Sequence, residues 1–228
     1  MSYTSYSFAL FVILTVCVYY IVRKKWQWVV LLVASMFFYL CAGPALSIYL
    51  LLFCLATWYG AKRIGRRKSG MQVSEKMLGL LAVFLIFINI GVLFILKWSG
   101  MELALLNRLF GTSLGWRFVM PLGMSFFTFQ NTSYVIDVYK GKIQAERNFF
   151  HYLLYASYFP YIVSGPINRY AKMERQFFAG HAFDKERFYQ GLLRILWGYL
   201  KEMVIADRAA IYVEEVFGHY YMYRGLFI

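Results

Sequence analysis

Residues 6–22, 26–42, 45–59 and 77–96 form four stretches without a single charged side chain, and each consists almost entirely of apolar residues. Their lengths lie close to the about 20 residues that carry a helix across the hydrocarbon core of a bilayer. Nothing constrains the fold of this chain more. In lipid every backbone N–H and C=O must be satisfied within the protein, so such stretches have to be helical. Composition closes the soluble alternative: 61% of the 228 residues are hydrophobic and only 15% are charged, against about 25% charged in ordinary soluble domains. The expected class is therefore all-α, a polytopic transmembrane helix bundle forming a single domain over residues 1–228.

The net charge is +13, from 24 Lys and Arg against 11 Asp and Glu. Such an excess suits nucleic acid or anionic lipid, and its placement decides between them. Arg23-Lys24-Lys25 and the 62–68 segment, with Lys62, Arg63, Arg66, Arg67 and Lys68, stand at the ends of apolar stretches. That is where the positive-inside rule puts cytoplasmic loops. The expected partner is the lipid bilayer, with no nucleic acid. Basic residues follow the first apolar stretch and none precede it, which reverses the order of a cleavable signal peptide. The stretch reads as a retained span with its N-terminus outside.

Gly43-Pro44 predicts a tight turn between spans two and three, which then form an antiparallel hairpin. The 62–68 loop falls inside, 77–96 returns outward, and 97–117 reads as an external segment with a short interfacial helix at 101–110. The 121–139 stretch runs inward to Lys140-Gly141-Lys142, 149–163 is a further apolar stretch, and 191–206 is the last. Cys17, Cys41 and Cys54 lie inside apolar stretches and are expected to be small buried hydrophobes, with no metal-ligand or disulfide spacing.

Two of these stretches are too polar to face lipid. Gln130, Tyr134 and Asp137 recur at i, i+4 and i+7, on one helix face, with Asn131 beside them. The face could line a substrate path, or it could lock helices together by hydrogen bonds alone. Ser164-Gly165-Pro166-Ile167-Asn168-Arg169 breaks the chain and sets Arg169 at the mouth of that break, where it could meet an anionic group or reach lipid phosphate. Arg194 and Lys201 share a face beside Glu202, so an ion-pair network is the plain expectation there, because charges inside a membrane must be paired. His151, His181 and His219 belong to no recognisable cluster, and no serine elbow, phosphate loop or metal site is present, so no catalytic residue is assigned.

Three blocks carry a resemblance: PLGMSFFTFQNTSYVIDVYKGKI (121–143), ERNFFHYLLYASYFPYIVSGPINRY (146–170) and FDKERFYQGLLRILWGYLKEMVIADRAA (183–210). With the SMFFYLCAGP segment (35–44), they resemble the membrane-bound O-acyltransferase (MBOAT) family, in the bacterial branch that contains the alginate O-acetyltransferase membrane subunit. The D-alanyl transfer protein of teichoic acid synthesis is a more distant relative.

The resemblance implies a helical enzyme that moves an acyl group, in this branch acetyl, onto hydroxyls of an exported polysaccharide from the bacterial cell membrane. The donor would be acetyl-CoA or an acyl-carrier thioester, with no bound cofactor. The partners would be the polysaccharide acceptor or a periplasmic or extracellular acyltransferase. In such a family a histidine in a tunnel takes the acceptor's proton. That histidine follows an RWH-type stretch, with a WHG motif beyond, and neither occurs up to Ile228. The chain is thus expected to correspond to the N-terminal part of the enzyme, with 1–117 as N-terminal spans and 118–228 as the start of the core. Gln130, Asn131, Tyr134, Asp137, Arg169 and Arg194 are its candidate tunnel residues. A transporter or channel domain and a non-catalytic membrane scaffold are the rival classes.

Overall fold

A computed structural model describes residues 5–65, 75–110, 123–162 and 165–219 of the chain. These residues are helical almost throughout and contain no strand. They fall into two compact units, one of residues 11–180 and one of residues 181–219 with the start of the first helix.

In the first unit, α1 (Tyr6–Ile21) leads through a 3₁₀ turn at Lys24–Trp26 into α2 (Gln27–Ala42). Gly43, at φ 151°, redirects the backbone, and Pro44 opens α3 (Pro44–Gly65). Proline suits a first helical position, where its missing N–H would have had no partner. α4 (Glu75–Phe110) and α5 (Met124–Tyr139) follow. Among the described residues, two helical segments are long and apolar enough to cross a membrane, Lys24–Ala42 and Lys76–Ile95. The protein is an all-α membrane protein.

Four details depart from the expected layout. α3 continues through Gly65, so Lys62 and Arg63 belong to its last turn rather than to a loop; 66–68 lie outside the described residues. There the cations complement the helix dipole and lie over the Trp58 and Tyr59 rings, at 4.5 and 4.9 Å. α4 runs on without the expected break before 101–110, for 36 residues, about 54 Å of helix. A lone Gly100 costs about 1 kcal/mol in a helix and does not end it. Cys17 and Cys41 are exposed, and of the three cysteines Cys54 alone is buried.

The fourth departure shapes the site. The 149–163 stretch is not one helix: α6 (Phe149–Ser157) stops and α7 (Phe159–Ile162) begins anew. Pro160 has no N–H to continue the ladder of α6, and Tyr158 (φ −57°, ψ 111°) takes the bend. The freed Phe159 N–H donates to Ser35 Oγ of α2 at 3.3 Å. Phe159 itself packs on Phe11 and Phe38. The chain then returns to α8 (Tyr170–Phe178), whose buried Tyr170, Met173 and Phe177 recur at i, i+3 and i+7. Segment 146–170 is therefore a hairpin that ends where it began, since the Tyr170 hydroxyl donates to Glu146 Oε2.

The second unit holds α9 (Lys185–Leu200), a π-helical turn at Lys201–Ala206 and α10 (Asp207–Gly218). Asp184 caps α9 by accepting from the Glu186 and Arg187 backbone N–H groups, at 3.0 and 3.2 Å. No residue of these helices is buried within the unit. Among the described residues, Arg194, Lys201 and Glu202 are exposed and do not form the expected ion-pair network. Lys201 lies instead over the Trp197 ring, at 5.6 Å.

Candidate functional site

α5 is the helix on which the site is built, and its neighbours enclose most of it. Met124, Phe127, Val135 and Val138 are buried, and so are Thr128, Gln130, Asn131, Thr132, Tyr134 and Asp137. Polar side chains survive burial when hydrogen bonded, and most of these are. Gln130 Nε2 donates to the Tyr155 carbonyl at 2.7 Å. Tyr152 donates its hydroxyl to Asn131 Oδ1 at 2.6 Å. The Tyr134 hydroxyl accepts the Glu146 N–H at 2.8 Å. The expected polar stripe thus faces protein, and its partners come from the 146–170 hairpin.

α5 ends in a Schellman arrangement. Gly141, at φ 69°, gives its N–H to Val138 O at 3.0 Å, and Lys142 gives its N–H to Asp137 O at 2.9 Å. Lys140 and Lys142 belong to this cap, where cations suit a helix C-terminus. The Asp137 carboxylate pairs elsewhere, with Arg169 Nη1 at 3.5 Å. Two residues singled out separately in the sequence are thereby brought together across the hairpin. The Asp137 side chain is 9% exposed but that of Arg169 is 65% exposed, so the pair lies at the rim of the core. Removing the carboxylate would not strand a buried cation. Asp137→Asn is accordingly expected to cost about 1 kcal/mol, the scale of a solvent-screened pair. Detergent melting curves of the variant and of Arg169→Gln should agree, and a loss three times larger for Asp137→Asn alone would refute this assignment.

Glu146 was not singled out from the sequence, yet the hairpin closes on it. Its carbonyl accepts Trp58 Nε1–H of α3 at 2.9 Å. Carboxylate oxygen Oε1 accepts the Asn148 N–H at 2.8 Å and lies 3.8 Å from His151 Nδ1. Oε2 accepts the Tyr170 hydroxyl. Burial first, and then the Glu146 carboxylate, raise the Tyr170 hydroxyl above its ordinary pKa. The Glu174 carboxyl is also held up, by partial burial and then by the charge of Glu146, against lowering contributions from Arg175 and His151. His151 is clamped between aromatics: its ring stacks on Phe178 at 4.0 Å and meets the edge of Trp28 at 4.7 Å. Tyr134, Tyr155 and Tyr170 pack ring against ring, and the Tyr155 hydroxyl donates to Asn168 O at 2.8 Å. The signal available in the sequence was the density of tyrosines in 152–170; nothing at Glu146 itself marks it.

On the opposite side of α5, Thr128, Asn131 and Thr132 share a face at i, i+3 and i+4. The two hydroxyls and Asn131 Nδ2 are buried with no protein hydrogen-bond partner among the described residues. Arg194 is exposed on α9 in the second unit.

This architecture defines a class: a helical membrane protein whose core is a polar helix wrapped by an aromatic hairpin. Comparison with known proteins then gives its relatives. The chain is 31% identical over 210 residues to "Probable alginate O-acetylase AlgI" of Pseudomonas aeruginosa, covering 87% of this chain and 38% of that protein. It is 30% identical over 216 residues to the protein of the same name from Azotobacter vinelandii, covering 91% of this chain and 42% of that protein. A "Peptidoglycan O-acetyltransferase" of Helicobacter pylori is 28% identical over 127 residues, 42% of this chain and 23% of that protein. The chain is thus a homologue of bacterial proteins named as O-acetylases, and it spans about two fifths of the length of the alginate O-acetylases it matches. No protein-family model and no solved structure matches it.

Proposed function

We propose that this chain is part of a membrane O-acyltransferase that moves an acetyl group from a thioester donor onto hydroxyls of an exported polysaccharide. The observation that carries the reading is α5. A helix with six polar side chains buried inside an apolar bundle suits the wall of a path for a polar acceptor. Asn131 Nδ2 and the hydroxyls of Thr128 and Thr132, which have no protein partner among the described residues, are groups that water or acceptor hydroxyls would satisfy. The relatives named as O-acetylases supply the reaction class. Gln130, Asn131, Tyr134 and Asp137 act here as wall and Arg169 as a rim cation. Arg194 is included on the resemblance alone. The division near residue 117 into N-terminal spans and the start of the core belongs to the same proposal.

No histidine of this chain takes the role of general base in this reading. His151 is committed to an aromatic clamp, and His219 Nδ1 lies 3.3 Å from the Glu215 carbonyl, on its own helix. The 228-residue chain alone is therefore expected to transfer nothing above a protein-free control when supplied with acetyl-CoA and candidate polysaccharide. Turnover that disappears on His151→Ala, His181→Ala or His219→Ala would place the chemistry here instead.

The proposed setting is the bacterial cell membrane, crossed several times, with the N-terminus outside. Arg23–Lys25, Lys62, Arg63, Lys140 and Lys142 then share the cytoplasmic side. The 146–170 hairpin enters from that side, and Ser35, which holds its tip, lies about 16 Å along the helix from Lys24, near mid-bilayer. Single cysteines at 43 and 62 in a cysteine-free background test the orientation. An impermeant thiol reagent applied to intact cells should label the first and spare the second, and the opposite pattern would overturn the topology.

A further inference from the structure

α1 and α2 are antiparallel neighbours that touch at their two ends and leave a gap between. At one end Phe11 stacks on Phe37, with ring centroids 5.9 Å apart. At the other Gln27 Nε2 donates to the Tyr19 carbonyl at 3.2 Å. The gap is an open groove of about 430 Å³, and residues such as Leu14, Val18, Val22, Val29 and Val33 line it. From Phe11 to Val22 it runs about 16 Å along α1. That matches one leaflet, half of the about 30 Å hydrocarbon core.

The groove ends at charge. Val22 and Trp26 belong to its lining, and the residues between them are Arg23, Lys24 and Lys25. All three cations are exposed, and among the described residues none forms an ion pair with a carboxylate. The turn that carries them is fixed. Trp26 N–H bonds to Arg23 O at 2.8 Å, and Gly180 packs so closely that a Cβ there would sit 2.8 Å from Lys24 Cβ. An open apolar slot of one-leaflet depth, with three cations on the turn between its lining residues Val22 and Trp26, is complementary to an amphiphile with an anionic headgroup.

We propose that this groove binds an anionic phospholipid of the surrounding leaflet, with one acyl chain between α1 and α2 and the phosphate on the Arg23–Lys25 turn. Basic sites between membrane helices recognise anionic headgroups in this way. A lipid seated there also fills the space that the two helices leave open, so it acts as part of the packing of α1.

The test uses the full-length protein in detergent, titrated with phosphatidylglycerol or phosphatidylcholine and read by native mass spectrometry and thermal melting. Wild type should retain phosphatidylglycerol in preference and melt higher with it. The variant R23Q/K24Q/K25Q should bind it on the order of a hundredfold more weakly, with phosphatidylcholine little changed. Val33→Trp, which fills the slot and leaves the cations in place, should lose retention of both lipids. The control K140Q/K142Q, at a basic turn away from this groove, should behave as wild type. Equal retention of the two lipids by wild type would overturn the proposal. So would undiminished phosphatidylglycerol retention by either groove variant, and Val33→Trp decides alone if the triple variant does not fold.

Discussion

Replacing Glu146 by alanine is expected to lower stability by about 3 kcal/mol and to loosen the whole 146–170 hairpin. The carboxylate accepts from the Tyr170 hydroxyl and the Asn148 N–H. Hydrogen bonds to a charged group contribute about 1.5–3 kcal/mol each, and a buried donor left without an acceptor adds its own desolvation cost. Tyr170 is 2% exposed, so its hydroxyl cannot turn to water. Glu146→Gln keeps an acceptor in place and should lose about 1 kcal/mol. Tyr170→Phe removes the other half of the contact. The double variant should therefore cost little more than Glu146→Ala alone, because residues in contact are not additive. The Glu174 carboxyl, partly held up by the charge of Glu146, should move back toward its ordinary value in the alanine variant. Melting in detergent, together with hydrogen exchange of 146–170, reads both effects. A Glu146→Ala protein that melts with wild type and protects the hairpin equally would show that the latch lies elsewhere.

Gly165→Ala should be comparably damaging, for a steric reason. A Cβ at this position would lie 2.5 Å from Tyr161 Cα and 2.9 Å from the Tyr161 carbonyl oxygen. Both belong to the backbone, so no side-chain rotation relieves the overlap. The Gly165 N–H also bonds to that same carbonyl at 3.0 Å. Either the bond opens or the returning chain shifts, and overpacking of this sort costs up to about 3 kcal/mol. Asn168 and Arg169 lie immediately beyond, where they meet Tyr155 and Asp137. On the proposed acyltransferase function, a displacement of about 1 Å there is expected to reduce acyl transfer by the full-length protein on the order of a hundredfold. Tyr155→Phe, which removes only the bond to Asn168 O, serves as the milder probe if the glycine variant does not assemble. Full transfer by Gly165→Ala at unchanged melting would refute the expectation.

What the sequence made legible followed from periodicity and charge. The polar residues of 121–139 could not face lipid, and α5 buries most of them. Asp137 needed a cation, and Arg169 needed an anion or water. Their pairing across 32 residues was invisible, because the two residues stand in separate blocks and no local spacing joins them. Lys140 sits in the helix cap, a role set by Gly141. The continuity of α4 past Gly100 was missed because hydropathy changes there while the backbone does not. Glu146 was missed for a simpler reason. Its importance comes from which chain ends meet at it, Trp58 from α3 and Tyr170 from α8, and no local pattern encodes a meeting of distant ends. α8 carries a clear amphipathic spacing, but it lies among charges, outside the apolar stretches that drew the reading.

The brevity of α6 bears on how such a protein is made. Nine residues are too few to be sorted into a bilayer as a span, and the bend at Tyr158 exposes backbone groups that lipid cannot satisfy. The Phe159 N–H is accepted by Ser35, on a helix synthesised more than a hundred residues earlier. The hairpin therefore has no stable place in the membrane until α2, α3 and α5 stand together to receive it. In the proposed membrane setting, assembly is expected to follow an order in which the last piece of the first unit to be seated is the one that carries Arg169 to Asp137.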